Sequence, residues 1–80
     1  MHYVYIISSL SFNNQIYIGQ TNNIKKRLSN HNSGCSPHTT KYKPWELILC
    51  LAFKNKDKAI EFEKYLKSGS GRAFALKRFL

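Results

Sequence analysis

Two short runs near the start of the chain restrict what it can fold into. Tyr3–Ser8 reads YVYIIS and Gln15–Gln20 reads QIYIGQ, with SLSFNN between them. β-Branched and aromatic residues dominate both runs, which marks each as a strand. With only a short polar turn between them, a hairpin is the economical connection, so the two strands run antiparallel. Side chains alternate along a strand, which puts Tyr3, Tyr5 and Ile7 on one face and Val4 and Ile6 on the other.

The rest of the chain punctuates itself. Thr21, Asn22 and Asn23 are all suited to cap a helix, because a short side-chain oxygen accepts a free first-turn N–H. A helix is expected from about Asn23 to His31, stopped by Asn32, Ser33 and Gly34. The segment CSPHTTKYKP holds both prolines and reads as a loop. WELILCLAF, Trp45–Phe53, is nearly continuous in apolar residues. It reads as a strand covered on both faces, hence central in the sheet. A second helix starts at a capping residue, Asn55 or Asp57, and runs to about Lys67, where SGSG breaks it. A short last helix is expected over Arg72–Leu80. The order β-β-α-β-α-α predicts an α+β fold: a three-stranded antiparallel sheet flanked by helices.

The chain has 80 residues, enough for one domain spanning 1–80 and only a thin core. Thirteen Lys and Arg against four Asp and Glu give a net charge of +9. That exceeds what solubility requires and points to a polyanionic partner: nucleic acid, or less often an anionic membrane face. Cys35 and Cys50 have no metal-ligand spacing and read as two structural thiols, a 35–50 disulfide being the alternative. No stretch is long and apolar enough to span a membrane, and MHYVYIISSL lacks the features of a signal peptide, so a cytoplasmic location is expected.

Several polar residues stand where packing alone would place aliphatics. On the first helix, Ile24, Leu28 and His31 share one face and Arg27 flanks it. A guanidinium there offers a planar fork of donors suited to phosphate, and an imidazole can exchange a proton near neutrality. On the second helix, Ala59, Phe62, Glu63 and Leu66 form the apolar stripe, so Glu63 carries a carboxylate on the packed side. It needs a partner there: a divalent metal, or an ion pair with Arg27 or Lys41. Tyr17 and Gly19 share a strand face with Tyr5 opposite, and the missing side chain of Gly19 allows a close approach. A phenol in such a cluster can orient or deprotonate water if neighbouring cations lower its pKa.

YVY at 3–5 and YIG at 17–19, followed by IKKRLSNHNSG and FEKYLKSGSGR, resemble the four motif segments of the GIY-YIG nuclease superfamily. The likeness spans essentially the whole chain and is nearest to the family's small bacterial members. Tyr3 replaces the glycine of the first motif, and no asparagine follows the second helix where the family has one. The resemblance implies a metal-dependent phosphodiesterase acting on DNA; charge alone does not separate DNA from RNA. It implies Mg2+, or Mn2+, held by Glu63, with Arg27 on the scissile phosphate. Tyr5 would act on the attacking water, with Tyr17 beside it and His31 as proton acceptor. Gly19, Lys26, His38, Lys41 and Arg72 are the candidate nucleic-acid contacts. A catalytically inactive binding module of the same fold is the competing expectation.

Overall fold

The computed structural model describes residues 1–80. Strands β1 (His2–Ser9) and β2 (Ile16–Thr21) form the hairpin, followed by helix α1 (Ile24–Ser33) and a single turn α2 (Pro37–Thr40). Strand β3 (Trp45–Phe53) and helices α3 (Lys56–Lys67) and α4 (Gly69–Arg78) complete the chain. The sheet is antiparallel throughout, in the order β2-β1-β3. In its register Tyr5 lies opposite both Gly19 of β2 and Cys50 of β3.

The alternation along β1 divides the molecule into three layers. Val4 and Ile6, with Ile18, pack on Ala59, Leu66 and Ala75 of α3 and α4. Tyr5 and Ile7 pack on the other side with Trp45, Tyr17, Ile24, Leu28 and Tyr42. β1, with Val4–Ile7 buried in succession, is thus the strand covered on both faces. β3 is not central, contrary to the expectation from its apolar run. The hairpin gives β1 a neighbour on one side, and β3 fills the other, becoming an edge strand with Leu47 and Leu51 partly exposed.

Local chemistry sets the helix ends. Asn23 caps α1 by accepting the Lys26 N–H at 3.1 Å, and Gly34 ends it at φ 87°, a conformation that suits glycine. Asn32 at the end of α1 bridges the backbone of Trp45, donating to its carbonyl at 3.2 Å and accepting its N–H. That bridge fixes α1 against the start of β3. Asn55 caps α3 through the N–H groups of Asp57 and Lys58.

Two expectations need correction here. The segment expected to be wholly loop contains the turn α2, because Ser36 precedes Pro37 and proline suits the first helical position. The last helix begins at Gly69 rather than Arg72. Ser68 accepts the Gly71 N–H at 3.2 Å, and Gly71 lies so close to the Tyr65 carbonyl that no side chain fits. Gly71 therefore lets α4 pack tightly against α3, while Gly69 stands in open space. Both cysteines are free, and no helix is long and apolar enough to cross a membrane.

Candidate active site

Four of the five expected catalytic residues meet on the α1 side of the sheet. Tyr5 projects from the central strand, and its ring centroid lies 6.2 Å from that of Tyr17. Gly19 lies beneath both: a Cβ there would stand 2.6 Å from Tyr5 Oη and 2.9 Å from Tyr17 Cε1. Gly19 therefore seats the tyrosines and is itself buried, away from the surface where the nucleic-acid contact expected of it would be made. α1 supplies the other two groups, one turn apart. Arg27 Nε donates to Tyr5 Oη at 3.1 Å. His31 is fully buried, with Nε2 2.9 Å from Tyr5 Oη and its ring 4.9 Å from that of Tyr17.

The guanidinium is held by the tyrosines and keeps donors to spare. Arg27 Nε is committed to Tyr5, and Tyr17 also accepts from the guanidinium; with five N–H donors on a half-buried side chain, donors remain for an anion. A planar fork tethered in this way is preorganised for phosphate oxygens.

Burial sets the protonation of the other two groups. It pushes the Tyr5 phenol above its ordinary value, outweighing the hydrogen bond and positive charge of Arg27, which pull it down. The condition under which a phenol here would deprotonate water unaided, a pKa lowered by neighbouring cations, is therefore not met, because desolvation outweighs them. The His31 imidazole is shifted below 6.5, first by burial and then by the charge of Arg27. At neutral pH the pair is a protonated phenol beside a neutral imidazole. Arg27 is shifted upward, chiefly by its bond to Tyr5.

Glu63 reaches this cluster differently. It rises from α3, in the layer behind the sheet, and its side chain is 14% exposed. Its ion pair is with Lys67 Nζ at 3.4 Å, rather than with Arg27 or Lys41. No hydrogen bond joins it to the tyrosines, yet its charge is among the causes that keep Tyr5 protonated. No three His, Cys, Asp or Glu side chains cluster to form a closed metal site. A lone carboxylate fits Mg2+ or Mn2+, hard cations that take one or two carboxylates and complete their shell with water and substrate phosphate.

The remaining candidates lie further out. Lys26 is exposed beside Arg27, His38 is exposed on α2, and the exposed Lys41 has its ammonium 5.5 Å from the centre of the Tyr42 ring. Arg72 is separate from all of them. Because α4 packs on the Val4 and Ile6 side, Arg72 lines a cavity of about 660 Å³ with Ile16, Ile18, Ile48 and Phe79.

Thr39 is the residue that sequence reasoning missed. It is buried, and its Oγ1 lies 2.7 Å from His31 Nδ1. Trp45 Nε1 donates to its carbonyl at 2.9 Å. The pair Ser36–Pro37 announces the turn that carries Thr39, but nothing in HTT marks which residue faces inward.

Comparison with known proteins follows this geometry. The family model of the GIY-YIG catalytic domain matches residues 1–77. The chain is 38% identical over 68 residues to a UPF0213 protein of Clostridium perfringens, covering 84% of this chain and 71% of the relative. It is also 38% identical over 72 residues to the structure-specific endonuclease subunit SLX1 of Debaryomyces hansenii, covering 80% of this chain and 20% of the relative. The solution NMR structure of a UPF0213 protein from Bacillus halodurans matches with a TM-score of 0.57 at 28% identity. That match covers 95% of this chain and 82% of the other.

Proposed function

This chain belongs to the GIY-YIG catalytic-domain family, and from that premise we propose that it is a divalent-metal-dependent DNA endonuclease. One observation carries the reading: Arg27 and His31 both close on the Tyr5 hydroxyl, while the half-buried guanidinium keeps further N–H donors. The endonuclease name of the SLX1 relative supports it.

In this reading the outer nitrogens of Arg27 grip the scissile phosphate and offset the charge that builds on it. Tyr5 takes a proton from the attacking water as its own passes to His31 Nε2. The water oxygen bonds to phosphorus as the bond to the leaving oxygen breaks. Arg27 Nε steadies the negative charge that passes through Tyr5 Oη. The half-buried Tyr17 borders the same hydroxyl and limits where water can stand. Glu63 would hold Mg2+ or Mn2+, which when bound supplies Lewis acidity to the phosphate and the leaving group.

The net charge of +9 draws the polyanion in by phosphate contacts that carry little sequence information. The exposed Lys26, His38 and Lys41 would supply such contacts. Low sequence selectivity, a cytoplasmic setting and a place in DNA repair or recombination belong to this reading, with residues 1–80 as one catalytic domain.

The test is plasmid nicking with Mg2+. The wild type nicks, and Glu63→Ala abolishes nicking while salt-sensitive DNA binding persists. Nicking that survives Glu63→Ala sinks the assignment. The second reading, a binding module without turnover, draws on the ion pair that Lys67 makes with Glu63. It predicts binding with no cleavage under any divalent ion.

A further inference from the structure

Thr39 has a buried hydroxyl for which the chemistry above has no use. It lies 1% exposed in the turn α2, with Oγ1 2.7 Å from His31 Nδ1 and 3.4 Å from the Ser36 carbonyl oxygen. The turn is itself anchored. Trp45 Nε1 donates to the Thr39 carbonyl, and Thr40 Oγ1 donates to the carbonyls of Gly34 and Ser36.

Counting hydrogens along this line leaves one consistent arrangement. Arg27 Nε–H points at Tyr5 Oη and cannot move. Suppose the neutral imidazole carried its hydrogen on Nε2. Tyr5 Oη would then accept from both Arg27 and His31, and its own buried hydrogen would have no protein acceptor. An unpaired buried group of that kind costs about 1–3 kcal/mol. With the hydrogen on Nδ1, every donor has a partner. His31 donates to Thr39 Oγ1, Thr39 donates to the Ser36 carbonyl, and Tyr5 donates to the bare Nε2. The hydrogen bond made at one ring nitrogen decides which tautomer the other presents.

We propose that Thr39 is a positioning residue that holds neutral His31 as the Nδ1–H tautomer, leaving Nε2 bare to receive the Tyr5 hydrogen. Its catalytic meaning rests on the endonuclease reading; the tautomer itself does not. Without the hydroxyl, His31 can turn its hydrogen toward Tyr5, and the acceptor that the reaction needs is lost.

Long-range 1H–15N correlation of the histidine rings near neutral pH tests this, with His31 assigned by its loss in His31→Gln. The wild type is expected to show a protonated Nδ1 and an unprotonated Nε2. Thr39→Val keeps the shape and removes the hydroxyl; it is expected to move the hydrogen to Nε2. Plasmid nicking should then lose about 10- to 100-fold in kcat, the scale on which residues that orient a histidine act. KM for DNA should stay unchanged, and Thr39→Ser should restore both readouts. A wild-type His31 protonated at Nε2, or a folded Thr39→Val that keeps Nδ1–H, overturns the proposal. If Thr39→Val does not fold, the wild-type spectrum and Thr39→Ser decide. If the wild type never nicks, the endonuclease reading fails, and the ring spectra still decide the tautomer.

Discussion

Gly19 lies directly across the β1–β2 ladder from Tyr5, and the Tyr5 hydroxyl occupies the space that a side chain at 19 would need. The glycine of the second motif is therefore explained by a contact and not by backbone conformation. The phenol lies against bare main chain, and from there it reaches both residues of α1.

Gly19→Ala follows directly from this. The added methyl displaces Tyr5 from Arg27 and His31, and overpacking of this kind costs about 1–3 kcal/mol. Urea denaturation should show the loss, and plasmid nicking should fall with it even under conditions where the variant is folded. An alanine variant that nicks normally would mean that the hydroxyl does not need its present seat.

Arg27→Lys separates charge from geometry. Lysine keeps the positive charge but cannot hold Tyr5 with one nitrogen while offering two others to phosphate. DNA affinity should change by no more than about twofold, since one cationic contact is retained. Nicking should fall by about 100-fold or more, the scale of losing a preorganised donor to the developing charge.

His31 makes stability depend on pH with a definite sign. Burial and the charge of Arg27 lower its pKa in the folded protein, and the other titratable groups around it are Tyr5 and Tyr17. Between the folded value and 6.5 the unfolded chain binds more protons than the native one, so stability rises with pH there. The contribution is fully present above 6.5 and is lost as pH falls below that value toward the folded pKa. Urea midpoints between about pH 8 and pH 5 should show this slope, reduced in His31→Gln. The acid limb of nicking should likewise lie below 6.5.

Lys67 competes with any cation for Glu63. Their ion pair, at 3.4 Å with Lys67 half exposed, is of the kind worth about 0.2–1 kcal/mol. Lys67→Ala should therefore lower the Mg2+ concentration giving half-maximal nicking by up to about fivefold. An unchanged requirement would place the ion elsewhere than on Glu63.

Much of this was legible in the sequence because it rests on local chemistry. Asn23 and Asn55 mark helix starts, the alternation in YVYIIS sorts Tyr5 from Val4 and Ile6, and helical spacing puts Arg27 and His31 together. The failures are non-local. Nothing in WELILCLAF distinguishes an edge strand from a central one, since its position depends on which side of β1 the hairpin leaves open. Nothing in SGSG tells a breaker from a close-packing glycine until the Tyr65 carbonyl is placed against Gly71. The direction of the Tyr5 shift is likewise not legible in sequence, because the neighbouring charge can be read there while the depth of burial cannot.

The line of hydrogens beyond His31 stops at the carbonyl of Ser36, an oxygen with nothing to hand onward. The imidazole is thus a cul-de-sac and not a wire to bulk solvent. In the proposed mechanism, whatever it collects during a turnover has to go back out through the Tyr5 phenol, so resetting the centre runs over the same two atoms as the chemistry it serves.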